Sequence, residues 1–300
     1  MGFGNPPRVT LADREDAVGA DAAVPGSNGH SGSEFAPARM LAPSGGTRRI
    51  RGARSTASVE DLGVRVSVVI PTLNEAKNLP HVLVRLPRGL HELIVVDGHS
   101  TDETVAVARR LRPDARIVLQ PGRGKGNAFA AGFATCTGDV VVTLDADGSA
   151  DALEIPRFVA ALINGADFVK GSRFAQGGGS SDITLLRRLG NRGLVGLVNA
   201  LYRTRYTDLC YGFNAFWASC IPYLRVDCDG FEIETLMNVR IAKAGLVVHE
   251  VPSRERDRIF GSSNLNAARD GSRVLAAISL ERLSAARPNL ARIGRRLLAS

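Results

Sequence analysis

Val140-Val141-Val142-Thr143-Leu144-Asp145-Ala146-Asp147 is an apolar run that ends in two carboxylates one residue apart. A short run of β-branched residues reads as a buried strand. Residues two apart in a strand point to the same side. The pattern therefore predicts that Asp145 and Asp147 project together from a strand end, where open α/β sheets bind ligands. Two converging carboxylates suit a hard cation such as Mg²⁺ or Mn²⁺. Magnesium held by one or two carboxylates takes its other ligands from phosphates and water, so a phosphorylated ligand is implied. The same residues also suit a turn, since Asp favours turns and Gly148 follows directly.

Working outward, apolar and amphipathic pieces alternate from Val64 onward. Strands are predicted at Val64–Ile70 (stopping at Pro71), Glu92–Asp97, Ala115–Leu119, Asp139–Leu144 and Asp167–Lys170. Helices are predicted at Asn78–Leu86, Asp102–Leu111 with Ser100 or Thr101 as cap, Gly126–Cys136 and Leu153–Ile163. This order implies an α/β fold with a mostly parallel sheet and helices on both faces. Asp97 and Asp145 then share one carboxyl edge. Beyond Gly171, Ile183–Leu201, Phe231–Ala244 and Ala267–Leu283 read as helices, and Gly212–Trp217 and Leu246–Val251 as strands. Trp217, Phe213 and Phe216 are expected in the core.

Residues 1–62 read as a disordered tail rich in Pro, Gly, Ser and Ala, residues 63–283 as the folded domain, and residues 284–300 as a basic C-terminal tail. The tail has as many acids as bases, so the net charge of +8 belongs to the folded part. Seven arginines from Arg269 onward face only Asp270 and Glu281. That excess suits anionic phosphates or an acidic membrane surface. Nucleic acid is not expected as a partner, because aromatics are sparse and not interleaved with the arginines. No run of 18 uninterrupted apolar residues is present. Four cysteines without a Cys-x-x-Cys pair suggest buried thiols in a reducing cytosol.

Four segments resemble, in order, the motifs of family 2 glycosyltransferases, which have the GT-A fold. They are Val68-Val69-Ile70-Pro71-Thr72-Leu73-Asn74-Glu75, Ile94–Thr104, Gly124-Lys125-Gly126-Asn127-Ala128 and Thr143–Asp147. The likeness continues through Gly171-Ser172-Arg173-Phe174, Asp208–Phe213, Phe231–Glu234 and Arg258–Asn264, and looks nearest to the polyprenyl-phosphate (dolichol-phosphate) mannosyl- and glucosyltransferases. It implies a Rossmann-like sheet that binds a nucleotide diphosphate sugar, with an acceptor-side C-terminal subregion. It further implies inverting transfer of a hexosyl group from a donor of GDP-mannose or UDP-glucose type.

By that resemblance, Pro71, Thr72, Asn74 and Glu75 cradle the nucleoside, Asp97 contacts its base or ribose, and Lys125 meets the nucleotide or its phosphates. Asp145, Ala146 and Asp147 lie at the donor, with Asp145 and Asp147 holding Mg²⁺ or Mn²⁺ and Asp147 catalytic. A polyprenyl phosphate acceptor is already ionised and needs arginines more than a base. Arg173, one of Arg187 or Arg188, Arg254 and Ser262 are the implied contacts. A hydroxyl acceptor, such as phosphoglycerate or a secondary metabolite, needs a carboxylate base, and Asp208 or Glu232 could serve, with Asp208 favoured. A nucleotidyltransferase shares the sheet and the metal logic, and a silent nucleotide-sugar-binding protein shares the site. Three departures stand out. Ser149 occupies a position where the lipid-phosphate enzymes often carry Gln, the second strand ends Asp-Gly, and the C-terminal membrane helices of some relatives are absent. The expected location is the cytoplasm, at the inner face of the membrane.

Overall fold

Five of the strands carry side chains hidden on both faces, and that burial orders the fold. In the computed structural model, which describes residues 58–261 and 267–284, the strands are β1 (Val66–Thr72), β2 (Glu92–Asp97), β3 (Arg116–Leu119), β4 (Val140–Thr143), β5 (Phe168–Ser172), β6 (Gly179–Ser180), β7 (Asn214–Trp217), β8 (Val248–Pro252) and β9 (Arg254–Glu255). The helices are α1 (Leu79–Leu83), α2 (Thr104–Leu111), α3 (Gly124–Phe133), α4 (Ile155–Ile163), α5 (Leu185–Tyr202), α6 (Ile221–Leu224), α7 (Glu232–Lys243) and α8 (Ala267–Ser284). Seven strands form one sheet in the order β3-β2-β1-β4-β7-β5-β8. Only β7 runs antiparallel to its neighbours. The mostly parallel α/β sheet expected from the sequence is therefore present. β6 and β9 form a separate parallel pair.

Alternate residues of the central strands feed two cores. Val66, Val68, Ile70, Val140 and Val142 pack with Leu79, Val82, Ala108 and Phe158 of α1, α2 and α4. Val69, Ile94, Val96 and Val141 pack with Phe129 and Phe133 of α3 and Met237 and Ile241 of α7. Phe213 and Phe216 are buried, as expected, and Trp217 is half-buried with its Nε1 donating to the Ala166 carbonyl at 3.0 Å. Each fully buried side chain of this kind contributes about 1.5–3 kcal/mol.

Several local expectations are corrected. β1 runs through Pro71 to Thr72. Leu144 N donates to Val69 O, so the backbone of Val69, and by alternation that of Pro71, turns toward β4. β4 pairs only as far as Val69, so the N–H that proline lacks has no ladder partner to lose. Neither Ser100 nor Thr101 caps α2, whose N-cap position is Glu103; the Asp102 carboxylate accepts from Thr104 N at 3.0 Å. Residues 58–62, placed in the tail by composition, include a 3-10 turn at Glu60–Leu62, and Val59 is fully buried against the first core. Residues 1–57 and 285–300, with the tails expected there, lie outside the described residues, as does Ser262. All four cysteines are free thiols, with Cys220 buried and the others half-buried. Burial pushes Cys210 and Cys220 up to about 11 and Cys136 and Cys228 up to about 12, so all four are protonated at neutral pH. Among the described residues no helix is long and apolar enough to cross a membrane.

Candidate active site

The carboxyl ends of β1, β2 and β4 lie together, because the three strands are parallel neighbours. Thr72 pairs in register with Asp97, and Asp97 with Leu119. The buried Asp97 carboxylate accepts from Ser100 N at 3.1 Å through Oδ2, while its Oδ1 is buried without a partner. An unmet buried acceptor costs about 1–3 kcal/mol, so this oxygen suits a ligand N–H or O–H. The loop after β1 is laced to the loop after β2. Asn74, held at φ 57°, donates its N–H to Ser100 Oγ at 2.9 Å and accepts from Thr101 N at 2.8 Å. Glu75 N donates to Thr104 Oγ1 at 2.8 Å. Pro71 is half-buried and Thr72 is buried, its hydroxyl donating to the Val96 carbonyl at 3.2 Å.

Asp145 and Asp147 lie beyond β4, which ends at Thr143. Strand alternation therefore does not place them, and the turn reading of Ala146-Asp147 is the one the backbone adopts. Gly148 sits at φ 79°, where a Cβ would come within 2.6 Å of Ile259. Ala146 is buried between the two carboxylates. Asp145 lies 2.6 Å from the Lys125 ammonium, which also pairs with Glu234. Burial alone would lower the Lys125 pKa, but Asp145 and Glu234 outweigh it and raise it. A Cβ at Gly212 would fall 2.5 Å from Asp145 Oδ2 and 2.7 Å from Lys125 Nζ, so a side chain there would have to displace the ends of both. Lys125 itself is held by its loop: Gly126 N donates to the Asp229 carbonyl at 2.9 Å, and Gly124 takes φ 87° beneath that same oxygen.

Asp147 faces another neighbour. Its Oδ1 accepts from Ser149 N at 3.0 Å, and its Oδ2 lies 3.5 Å from the Arg258 guanidinium, which also pairs with Glu75. Burial raises the Glu75 pKa against the opposing pull of Asn78 and Arg258. Phe260 is clasped to Asn78, donating at 2.8 Å and accepting at 3.0 Å, which lays the chain around Arg258 along the sheet edge. The sequence reading gave Arg258, Glu234 and Gly212 no role in binding. Only their place inside motif segments marked them, because their partners are about 70 to 180 residues away.

The two carboxylates keep side-chain exposures of 30% and 22%, so both are open to a ligand. No group of three or more His, Cys, Asp or Glu that could hold a metal ion occurs among the described residues. Asp151 pairs instead with Arg85 and Arg256. Asp145 and Asp147 each keep a partly exposed carboxylate, and hard oxygen donors of this kind fit Mg²⁺ or Mn²⁺, whose remaining ligands come from phosphate and water.

The acceptor side differs from expectation. Arg173 is buried, not presented to a ligand. Its guanidinium donates to both Asp208 oxygens at 2.7 and 3.0 Å, to Glu255 at 3.2 Å and to the Cys210 carbonyl at 3.0 Å. Asp208, favoured as a base, is fully buried in this pair. Burial would raise its pKa, but Arg173 and Lys170 overcome that and lower it, so it is a poor proton acceptor. The Glu232 carboxylate accepts from Gly230 N at 3.2 Å through Oε1, and its Oε2 is buried without a partner. Arg187 pairs with Asp182 at 3.2 Å, and Arg188 is exposed on α5. Arg254 is exposed on β9 beside a cavity of about 520 Å³ that Asp151, Glu154, Ser180, Ser181 and Arg256 also line.

The sequence profile of the family described as Glycosyl transferase family 2 matches residues 67–225. An uncharacterised glycosyltransferase of Mycobacterium tuberculosis is 46% identical over 111 residues, which cover 37% of this chain and 50% of that protein. The chain thus spans about half the length of the mycobacterial relatives it matches. Glycosyltransferase AglJ of Haloferax volcanii is 34% identical over 211 residues, 69% of this chain and 68% of that one. The dolichol-phosphate mannosyltransferase of Pyrococcus furiosus is 34% identical over 212 residues, 67% of this chain and 59% of that one. Among solved structures, glucosyl-3-phosphoglycerate synthase from M. tuberculosis, in complex with Mn²⁺, UDP-glucose and phosphoglyceric acid, superposes with a TM-score of 0.60 at 25% identity, covering 77% of this chain and 85% of that one. The fold is the GT-A fold of these glycosyltransferases.

Proposed function

Because the chain belongs to glycosyltransferase family 2 and is a glycosyltransferase, we propose that it moves a hexosyl group from a nucleotide diphosphate sugar to a polyprenyl phosphate, with inversion. The observation that supports the donor side is that β1, β2 and β4 end at one sheet edge, so that the loops bearing Asp97, Asp145 and Asp147 leave from it, with Asp97 Oδ1 unpartnered. Asp97 accepts an N–H or O–H of the nucleoside, and Pro71, Thr72, Asn74 and Glu75 form its cradle. Asp147, with Asp145 and Ala146 beside it, faces the diphosphate. Mg²⁺ or Mn²⁺ bound there would supply positive charge to the departing diphosphate. Lys125 fixes Asp145, and Arg258 offers a second cation next to Asp147. The acceptor oxygen bonds to the anomeric carbon as the bond to the diphosphate breaks, and a nucleoside diphosphate leaves.

Asp208 supports the choice of acceptor. It is locked in the buried pair with Arg173, so an acceptor that is already ionised suits the site better than one that must be deprotonated. Arg187, Arg188, Arg254 and Ser262 are the acceptor contacts in this reading, and Arg173 stays in its buried pair with Asp208. The named relative from P. furiosus agrees with a lipid phosphate. The location in this reading is the cytoplasm, at the inner face of an anionic membrane.

Transfer to a soluble hydroxyl is the second reading. It is favoured by the unpartnered Glu232 Oε2, a candidate base, and by the cavity beside Arg254, which charged and serine residues line. Incubation with radiolabelled nucleotide sugar and both acceptor types, followed by organic extraction, separates the two. Label in the organic phase is expected, and label confined to water overturns the lipid acceptor. Asp147→Asn should lower turnover at least ~100-fold with unchanged folding. Wild-type activity in that variant would remove Asp147 from the chemistry.

A further inference from the structure

Helix α5 is apolar on both sides. Its inner face places Asn191, Leu194 and Val198 in a core with Val239, Val274 and Ile278. Its outer face carries Leu185, Leu186 and Leu189, which are 74%, 68% and 63% exposed. The same face continues through Gly193 and Gly196, where an added Cβ would meet nothing within 4 Å. Three large leucines within five residues of an exposed helix face form a contiguous patch, unlike the scattered apolar residues normal on a surface. Exposed arginines, Arg188 and Arg192, flank it, and α5 contains no Asp or Glu.

We propose that this outer face of α5 docks on an anionic lipid bilayer. Leucines that enter the acyl boundary beside arginines at headgroup level are the pattern of an in-plane amphipathic helix. The charge decides between occupants. A second copy pairing α5 against α5 brings Arg188 and Arg192 toward more arginines, Arg203 included, with no carboxylate on the helix to meet them. A bilayer bearing anionic headgroups answers that charge. The Asn191 side chain accepts from Leu209 N at 3.1 Å, tying the inner face to the loop that carries Asp208. The face therefore lies on the helix that bears Arg187 and Arg188. Docking rests on the lipid-acceptor reading for its purpose, but not for its evidence.

Vesicle flotation of the full chain tests it. Wild-type protein should float with vesicles of phosphatidylcholine containing one-third phosphatidylglycerol, and much less with phosphatidylcholine alone. The triple variant L185Q/L186Q/L189Q should bind the anionic vesicles at least ~10-fold more weakly, with its melting temperature unchanged because the leucines are exposed. Arg192→Gln should cost roughly 5-fold. The proposal is overturned if wild-type protein does not float, if the triple variant floats as well as wild type, or if wild type is a dimer that the triple variant converts to monomer. Product partition, measured separately with detergent-dispersed polyprenyl phosphate, keeps the two readings apart. Extractable product without flotation sinks docking alone, and flotation with only water-soluble product sinks the lipid acceptor alone.

Discussion

Arg173 shows how far one side chain's role depends on its partners. Exposed at a cleft, it would hold a phosphate, but here it is enclosed by Asp208, Glu255 and the Cys210 carbonyl. Removing one member of a buried pair leaves the other charge without compensation, which costs about 3–5 kcal/mol. Arg173→Met should therefore lower the unfolding free energy measured by urea titration by that amount, and the double variant with Asp208→Leu should regain part of it. A double variant no more stable than the single one would contradict the pairing account. The pH dependence has a fixed sign. The Asp208 pKa is lowered in the folded protein, so its contribution is complete above the unfolded value of about 3.9 and is lost as pH falls through the lower folded value. Sequence order told which residues belong to motifs but not which of them meet. Asp145 and Asp147 read as one pair, yet they face Lys125 and Arg258 respectively. That division is set by chain segments that are distant in sequence and adjacent only after folding.

Elements were more legible than contacts, because period and turn chemistry are local. β2 matches its predicted span residue for residue, and α5 and α8 fall within two residues of theirs. β7 was harder to place: its four residues read as a strand, but nothing local says that it enters antiparallel between β4 and β5. The placement of α3 turns on Gly132. A Cβ there would lie 2.6 Å from Val69 Cγ1 and 3.1 Å from Val96 Cγ2, so the helix rides closer to the sheet than any other residue allows. Because α3 carries Lys125 at its start, the close approach also positions the Asp145 cluster. Gly132→Val should overpack this interface and cost about 1–3 kcal/mol, read from the thermal midpoint. Nucleotide-sugar affinity should weaken in the same protein. Full stability would show that α3 can shift without loss, and weakened stability with unchanged affinity would detach the helix from the site.

At the scale of the molecule, the candidate site is a seam between the sheet edge and the segment around Arg258. Glu75 and Asn78 belong to the first loop, and Arg258 and Phe260 arrive more than 180 residues later to close on them. A ligand that met Asp97 on one side and Arg258 on the other would touch both sides of that seam and stabilise the whole folded unit by mass action. At a hundred times its dissociation constant, a nucleoside diphosphate with Mn²⁺ should add about 2.7 kcal/mol. For a folded unit of this size that corresponds to a rise of roughly 5–11 °C in melting temperature. Chelation of the metal should remove most of the rise, because two carboxylates facing a diphosphate without a cation repel it. Asp147→Asn should show a small rise that chelation leaves unchanged. Comparison of UDP with GDP then identifies the base from the larger rise; uracil and guanine both bring an N–H, and both riboses an O–H, that Asp97 Oδ1 can accept. A rise that survives chelation in the wild-type protein would place the nucleotide on Lys125 and Arg258 without metal, and would reduce the two carboxylates to anchors for those cations.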